Sequence, residues 1–324
     1  MTDKKLNPQK PKMTIFVANP HGLCAGVVRA IEMADGALKK YGAPLYVNHE
    51  IVHNKHVVAD FEKKGAVFVK NISDVPDGSV VLLSAHGSPK KTFAIAAQKN
   101  LTVVDAACPL VLKVHRIAQQ YEKEEKEIVI IGHASHVEVE GTSGQLRNSV
   151  KVIENEDDAM AFEPKDADNL SYVTQTTLSA DEVKSIISIL HKRFPNITGR
   201  GGDICYATQN RQDAIKAIIE KIDILLVVGS VTSSNSNRLC ELAKKHGKAA
   251  YLIDSEKDIN REWLDENAKN GAVNVGVSSG ASAPEYILEE VLKVLGDEYN
   301  ADVINVEGIK ESIVFHAPKS VRLA

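Results

Sequence analysis

Three cysteines lie at similar corners of the sequence, each at the point where a strand-like run ends and a helical stretch begins. Cys24 stands in "NPHGLCAGVV" after the apolar run "TIFVA", Cys108 in "LTVVDAACPLV" and Cys205 in "GGDICYATQN", with 84 and 97 residues between them. Thiolates are soft metal ligands, so three of them at equivalent corners indicate a shared metal site. Cys240 lies mid-helix in "SNRLCELAKKHG" and is predicted to be a small core residue.

Two kinds of metal centre fit three thiolates with one coordination position left open. A zinc ion would take the three sulfurs and an outside ligand, whereas an iron–sulfur cluster would keep one iron that the protein does not hold. Structural zinc sites normally use a local knuckle of closely spaced cysteines, and these cysteines are far apart. The spacing therefore favours a cluster at a centre shared by three units, with zinc as the alternative.

Histidines followed by carboxylates form a second group of residues that could do chemistry. They occur in "VNHEIVHNKHVV", "SAHGSP" and "IIGHASHVEVEGTSGQ", as His49, His53, His56, His86, His133 and His136, with Glu138 and Glu140 following. Histidine titrates near neutral pH, and burial can raise the pKa of a glutamate toward the same range, so such a pair can relay a proton. We expect His136 and Glu138, which two glycines flank, to be the functional pair.

Several loops that follow strand-like runs are rich in hydroxyl and amide side chains, among them Ser84, Thr174, Thr176, Thr177, Ser230, Ser233, Ser234, Asn235 and Ser282. Open α/β sheets bind ligands at the carboxyl ends of their strands, where backbone N–H groups and helix N-termini point outward. Helix capping accounts for some of these residues, and Ser179 and Ser282 suit that role. The others predict a small phosphate or diphosphate site. A nucleotide is the weaker interpretation, because neither a Walker A nor a GxGxxG motif occurs.

The elements that must position these residues follow an α/β pattern throughout. Nine apolar strand-like runs alternate with amphipathic stretches, such as the one in which Val27, Ile31, Ala34 and Leu38 share a helical face. Apolar strands alternating with helices predict mainly parallel sheets. We expect three similar α/β domains, with boundaries at 13–108, 109–205 and 206–296, between a disordered N-terminal extension (1–12) and a C-terminal tail (297–324).

Composition and charge limit the possible partners of the chain. Its 324 residues are 44% hydrophobic and 25% charged, which is typical of a soluble globular protein of two or three domains. The net charge of −4 argues against a nucleic-acid partner. No apolar run approaches the roughly 20 residues that span a bilayer, and the first residues lack a signal-peptide core, so we expect no membrane partner. Four cysteines are too few for a disulfide framework, which predicts a cytoplasmic location.

A set of long motifs resembles one known enzyme family. The motifs are "HGLCAGVVRAI", "NHEIVHN", "SAHGSP", "DAACPLV" with "KVH", "IGHASHVEVEGTSGQ", "TQTTLS", "DICYATQNRQ", "GSVTSSNSNRL" and "GASAPE", in this order. They resemble the 4-hydroxy-3-methylbut-2-enyl diphosphate reductases, which catalyse the terminal step of the non-mevalonate isoprenoid pathway. The resemblance runs from about residue 14 to the tail "SIVFHAPKSVR", and at Val137 it departs from an expected proline.

This resemblance implies an oxidoreductase with three α/β domains arranged as a trefoil around one [4Fe–4S] cluster per chain. Cys24, Cys108 and Cys205 would be its protein ligands, and the open iron would bind the hydroxyl of (E)-4-hydroxy-3-methylbut-2-enyl diphosphate. Reductive removal of that hydroxyl would give isopentenyl and dimethylallyl diphosphates. The electrons would come from an external donor such as a ferredoxin or a flavodoxin, because the chain shows no nicotinamide or flavin fingerprint.

The same resemblance implies roles for individual side chains. Glu138 would deliver the proton, with His136 and Thr176 orienting it, and Thr177 is the alternative to Thr176 beside the substrate hydroxyl. The diphosphate would be held by His53, His86, His136, Ser233, Ser234, Asn235 and Ser282. Two other functions use the same residues. One is a zinc-dependent phosphohydrolase, and the other is an iron–sulfur sensor that binds a diphosphate as a regulatory ligand.

Overall fold

Three parallel β-sheets with flanking helices make up the protein in the computed structural model, which describes residues 11–199, 204–299 and 301–322. All nine strand-like runs noted in the sequence form strands, because they are rich in β-branched residues that pack well on a buried sheet. The predicted α/β class with mainly parallel sheets is confirmed. By contact density the chain divides into two units, residues 1–23 with 210–312 and residues 24–209 with 313–324.

The first unit contains a five-stranded sheet. Its strand order is β11 (Ala249–Ile253), β10 (Ile224–Val228), β12 (Ala272–Ser279), β1 (Lys12–Ala18) and β13 (Asp302–Val306). Its helices are α9 (Ser234–Lys245), α10 (Arg261–Glu266), α11 (Glu285–Tyr299) and most of α8 (Tyr206–Ile218), which starts in the other unit.

The second unit contains two four-stranded sheets. One has the order β3 (Ala66–Val69), β2 (Leu45–Asn48), β4 (Val80–Leu83), β5 (Thr102–Asp105), and the other β7 (Lys151–Ile153), β6 (Glu127–Ile131), β8 (Leu170–Thr174), β9 (Thr198–Gly199). The helices are α1 (Ala25–Tyr41), α2 (Lys55–Lys63), α3 (Lys90–Gln98), α4 (Pro109–Lys123), α5 (Val137–Ser143), α6 (Glu156–Ala161) and α7 (Ala180–Arg193).

The first strand belongs to a different sheet from the one that the predicted boundaries imply. Those boundaries place it in a domain of residues 13–108, but β1 pairs with β12 on one side and with β13 on the other. The strand β13 therefore also makes part of the predicted tail a component of this sheet. Pairing between strands far apart in the chain leaves no local sequence signal, which explains the difference. The predicted N-terminal extension lies mostly outside the described residues, and its last residue, Lys12, already belongs to β1.

Each sheet is covered by apolar helix faces, as its sequence pattern indicates. The helical face predicted around Ala34 packs into a cluster with Leu45 and Val47 of β2. Pro109 is the first residue of α4 and Cys240 is buried in α9, both as predicted. Burial of one such aliphatic side chain contributes about 1.5–3 kcal/mol, so these faces hold the helices against the strand ends. Among the described residues, no helix combines the length and the apolar character that crossing a membrane requires.

Candidate active site

The three cysteines at the strand–helix corners all lie in the unit formed by residues 24–209 and 313–324. Cys24 is the N-cap of α1 and Cys108 is the N-cap of α4. Cys205 directly precedes α8, and its Sγ lies 3.1 Å from Oγ1 and 3.3 Å from the backbone nitrogen of Thr208. Sulfur atoms at these positions face the free N–H groups of helix first turns, which stabilise a thiolate.

The three sulfurs are close enough to influence one another. A Cβ atom added at Gly26 would lie 2.7 Å from Sγ of Cys108 and 3.8 Å from Sγ of Cys24, so only glycine fits between these thiols. Burial raises the pKa of Cys108 to about 11 and that of Cys205 to about 12, and the charge of Cys24 adds to both shifts. Without a metal, the thiols at these two positions are therefore protonated at neutral pH.

The donor set fits an iron–sulfur cluster better than a single ion. Within the described residues, no group of three or more histidine, cysteine or acidic side chains could hold one metal ion. Thiolates of a cubane cluster each bind a different iron, so they need not converge on one point. Hydrogen bonds from the backbone N–H groups of Leu110 and Val111 lower the pKa of Cys108, and one from Thr208 lowers the pKa of Cys205. These contacts favour the thiolate form. Such N–H contacts to sulfur are typical of cluster ligands.

Glu138 is a buried carboxyl held on both oxygens by a single residue. Its side chain is 2% exposed, and its Oε1 accepts the backbone N–H of Thr176 at 2.7 Å. The hydroxyl of the same threonine donates to Oε2 at 3.0 Å. Burial raises the pKa of Glu138 to about 7, although both contacts from Thr176 oppose the rise. The neighbouring Thr177 instead accepts a hydrogen bond from Nε2 of Gln175 at 2.9 Å.

Three of the predicted histidines form a compact cluster in the same unit. The rings of His53 and His86 stack with centroids 4.0 Å apart, and His136 meets them edge-on at 5.5 and 6.2 Å. Burial lowers the pKa of His136 to about 4 and lowers that of His86 well below its ordinary value, with repulsion from neighbouring histidines adding to both. His86 and His136 are therefore neutral at physiological pH.

His136 offers one ring nitrogen to a ligand. It is the N-cap of α5, and its Nδ1 accepts the backbone N–H of Glu138 at 3.2 Å. The proton of the neutral ring must then be on Nε2. This buried Nε2 has no hydrogen-bond partner among the described residues. A buried donor without an acceptor is costly, so the site fits an anionic ligand at this atom.

Four of the predicted binding residues lie in the unit formed by residues 1–23 and 210–312. Ser233 is the N-cap of α9, Ser234 is its first residue, and Asn235 follows in the first turn. Asn235 is 5% exposed, and within the part of the chain that the structure describes neither its Oδ1 nor its Nδ2 has a hydrogen-bond partner. Ser282 is buried in the loop after β12. The helix N-terminus, hydroxyls and amide together suit an anion.

Two expectations about helix capping have different outcomes. Ser179 is the N-cap of α7, and its side chain accepts the backbone N–H of Glu182, as predicted. The helix after Ser282, α11, begins at Glu285, three residues later, and the capping role of Ser282 stays a prediction.

Some of the other predicted histidines and carboxylates pair outside the cluster of His53, His86 and His136. His133 contacts Glu154, and the exposed Glu140 pairs with Lys91. The charges of His49 and His133 nevertheless add to the lowering of the pKa of His86 and of His136, respectively. The sequence analysis gave no role to His115 of α4, which is 4% exposed. Its Cε1 lies 2.7 Å from the position that a Cβ at Gly87 would take, next to His86. Its place at the end of the quoted "KVH" motif was the only available signal.

Comparisons with known proteins agree on one family. The family described as LytB protein matches residues 15–296. Proteins called 4-hydroxy-3-methylbut-2-enyl diphosphate reductase match over 96% of this chain and 98% of their own length, with 47% identity for Klebsiella pneumoniae subsp. pneumoniae and 49% for Hamiltonella defensa. The solved structure of the E-1-hydroxy-2-methyl-but-2-enyl-4-diphosphate reductase from Plasmodium falciparum superposes with a TM-score of 0.87 at 37% identity, covering 96% of this chain and 95% of that one.

A second solved structure is also similar to this chain. It is an (E)-4-hydroxy-3-methyl-but-2-enyl diphosphate reductase, described as the terminal enzyme of the non-mevalonate pathway. Its TM-score is 0.59 at 28% identity, and the match covers 88% of this chain and 99% of that structure.

Proposed function

This chain belongs to the LytB protein family and is an oxidoreductase, and we propose that it converts (E)-4-hydroxy-3-methylbut-2-enyl diphosphate into isopentenyl and dimethylallyl diphosphates. The reaction removes an allylic hydroxyl with two electrons and protons. Near-complete coverage of relatives with this named activity supports the reaction, and the buried Glu138 described above supports its chemistry.

The proposed cofactor is one [4Fe–4S] cluster per chain, held by Cys24, Cys108 and Cys205. When bound, the cluster would supply the electrons and a Lewis-acidic iron for the substrate hydroxyl. Support comes from three sulfurs that influence one another's pKa and from the glycine between two of them. Cys240, buried in the core around α9, has no part in this proposal.

Glu138 is the proposed proton donor. With a pKa raised to about 7, its carboxyl keeps a proton at neutral pH much more often than an exposed glutamate does. A general acid works best when its pKa lies near the working pH, because it then holds a proton and also releases it readily. Thr176 fixes both carboxyl oxygens, and His136 anchors the first turn of α5 through the backbone of Glu138.

Hydrogen-bond donors are proposed to bind the diphosphate. The proposed residues are His53, His86, His136, Ser233, Ser234, Asn235 and Ser282. The Nε2 of His136 and the amide of Asn235 support this, since both are buried atoms that lack partners among the described residues. Binding energy from the diphosphate can position the alcohol for reaction, because the diphosphate itself does not react.

The proposed electron donor is a separate protein, and the proposed location is the cytoplasm. We expect an external one-electron carrier such as a ferredoxin or a flavodoxin, since the sequence has no motif for nicotinamide or flavin binding. The cytoplasmic location is a prediction from the low cysteine content, and Cys24, Cys108, Cys205 and Cys240 form no disulfide bond in the structure.

The observation that carries the proposal is the Glu138 carboxyl beside the thiol site, close enough that its charge raises the pKa of Cys108. An anaerobic single-turnover experiment tests it. Chemically reduced protein is mixed with the allylic diphosphate, and both products are quantified, together with iron and acid-labile sulfide. Zinc without sulfide would support the phosphohydrolase alternative. A cluster that binds the substrate without forming product would support the sensor alternative.

A further inference from the structure

Arg29 binds the backbone immediately before one of the cysteines. It lies on α1, five residues after Cys24, and its Nη1 donates to the carbonyl oxygens of Ala106 at 3.3 Å and Ala107 at 3.0 Å. These are the two residues that precede Cys108. Two other hydrogen bonds also fix the backbone at Ala107 and Cys108. The N–H of Ala107 donates to Oδ1 of Asp105 at 3.0 Å, and the N–H of Cys108 donates to the carbonyl of Ala85 at 2.9 Å.

Arg211 binds the backbone before another cysteine. It lies on α8, six residues after Cys205, and its Nη2 donates to the carbonyl oxygens of Gly22 at 2.8 Å and His21 at 3.4 Å. Gly22 precedes Cys24 by two residues. Arg211 is 0% exposed, and its charge is balanced by Glu311, whose Oε1 lies 3.0 Å from Nη1. Asn210 also donates to this Oε1 at 3.0 Å.

The two arginines share one arrangement. Each lies on the helix that follows one cysteine, and each guanidinium binds carbonyls in the residues just before a different cysteine. We propose that Arg29 and Arg211 are positioning residues that set the direction of the Cys108 and Cys24 thiols. This inference rests on the proposed cluster site and adds two residues, together with Glu311, to it.

The physical need for such contacts follows from the spacing of the cysteines. A local knuckle fixes its sulfurs through a short stretch of backbone, but these thiols come from segments 84 or more residues apart. The peptide planes before an N-cap cysteine determine where its Cβ points, and metal sites tolerate errors of only about 0.2 Å. A guanidinium suits this task, because the two hydrogens of one planar Nη nitrogen can hold two carbonyls at a defined angle.

A purely structural role is the alternative, and Arg193 provides the matched control. Arg193 ends α7, and its Nη1 donates to the carbonyls of Ala159 at 2.8 Å and Phe162 at 2.6 Å. Arg29 and Arg193 therefore both bind two backbone carbonyls from a partly buried position, but Arg193 contacts no residue next to a cysteine. Replacing either arginine removes two hydrogen bonds to backbone carbonyls, and Arg193→Gln also removes an ion pair with the exposed Glu163 at 2.8 Å. Only Arg29→Gln should disturb the thiol site.

The experiment measures cluster retention in anaerobically loaded protein. Wild type, Arg29→Gln and Arg193→Gln are compared for iron and sulfide per chain, for the rate of iron release to a chelator, and for the thermal unfolding midpoint. We expect Arg29→Gln to release iron at least about tenfold faster than Arg193→Gln, the effect of about one charge-assisted hydrogen bond. The two variants should have similar unfolding midpoints. Equal release rates would overturn the role of Arg29.

Arg211 is tested through its partner, because substitution of a fully buried arginine can prevent folding. Glu311→Gln keeps an acceptor for Asn210 and Arg211 and removes the balancing charge. We expect faster iron release than from wild type and a changed visible spectrum of the cluster, whereas wild-type release and spectrum would overturn this part. A wild-type chain that holds no iron and sulfide would contradict the proposed function itself. If wild type holds a full complement of iron and sulfide but Arg29→Gln releases iron at the rate of Arg193→Gln, only the positioning role of Arg29 would be contradicted.

Discussion

Thr176 contacts both oxygens of Glu138, through its backbone N–H at 2.7 Å and its hydroxyl at 3.0 Å. The carbonyl of the same threonine accepts the backbone N–H of Cys205 at 3.1 Å. One residue therefore fixes the orientation of the acidic group and also the start of the segment that carries a thiol. A shift of this threonine would move the proposed proton donor and a proposed cluster ligand together.

We expect Glu138→Gln to retain the cluster and product binding while turnover falls about 10²–10⁴-fold, the usual contribution of a general acid. The amide preserves the size of the side chain and an acceptor for the N–H of Thr176, but it has no proton to deliver. Steady-state turnover, cluster absorbance and binding of isopentenyl diphosphate separate these effects. Turnover close to wild type would remove Glu138 from the proposed role.

Glu138 should also make stability depend on pH. Its pKa is raised from 4.5 to about 7 in the folded protein. As pH rises, the unfolded chain loses the Glu138 proton at a lower pH than the folded chain does. The contribution of Glu138 to stability therefore falls as pH rises from 4.5 to about 7. Glu138→Gln has no such loss. The free energy of unfolding of the variant minus that of wild type should therefore be larger at about pH 8 than at about pH 5.5, by roughly 2 kcal/mol. Unfolding curves at both values test this, and a constant difference would contradict it.

The two adjacent threonines give a matched pair of variants. Thr176→Val removes the hydroxyl that donates to Glu138, and we expect turnover to fall about tenfold or more. Thr177→Val removes a hydroxyl that accepts from Gln175, and turnover should stay within about twofold of wild type. Steady-state kinetics on both variants decide which threonine acts. A larger loss for Thr177→Val would reverse the assignment.

Two cysteines in different environments test the cluster ligands. Cys108→Ser should lower iron and sulfide well below about four atoms of each per chain, because a required thiolate is missing. Cys240→Ser places a hydroxyl in the buried core around α9 and should keep the full complement. Anaerobic purification, visible absorbance and metal analysis check both variants. Full loading of Cys108→Ser would contradict the proposed ligand set.

Much of the fold follows from local pattern, and the exceptions have physical reasons. The strands found from sequence are apolar runs such as that of β10, which is buried throughout. The strands β3, β7, β9 and β13 were not noted. They are short or largely exposed, so they lack the continuous apolar run that marks a buried strand. Sheet membership of β1 depends on partners about 260 or more residues away, which local pattern does not specify.

The proposed site residues carry signals in the sequence, whereas the residues proposed to position them do not. His136 and Glu138 carry a local signal, because a histidine and a carboxylate stand two residues apart between glycines. Arg29, Arg211 and Glu311 carry none, since an arginine on a helix is ordinary and its carbonyl partners are 77 to 190 residues away. Burial of Arg211 and the raised pKa of Glu138 arise only when the chain is folded.

The packing of Ala317 and Val321 affects the biogenesis of the enzyme. Both belong to the buried cluster that contains Leu45 and Val47, and a methyl group at Gly36 would overlap the backbone oxygen of Val321. A ribosome makes these two residues after every other member of that cluster. The unit that carries all three corner thiols can therefore complete its core only after Val321 has been made. Iron and sulfide delivery to the proposed cluster site is consequently expected to follow the synthesis of this residue.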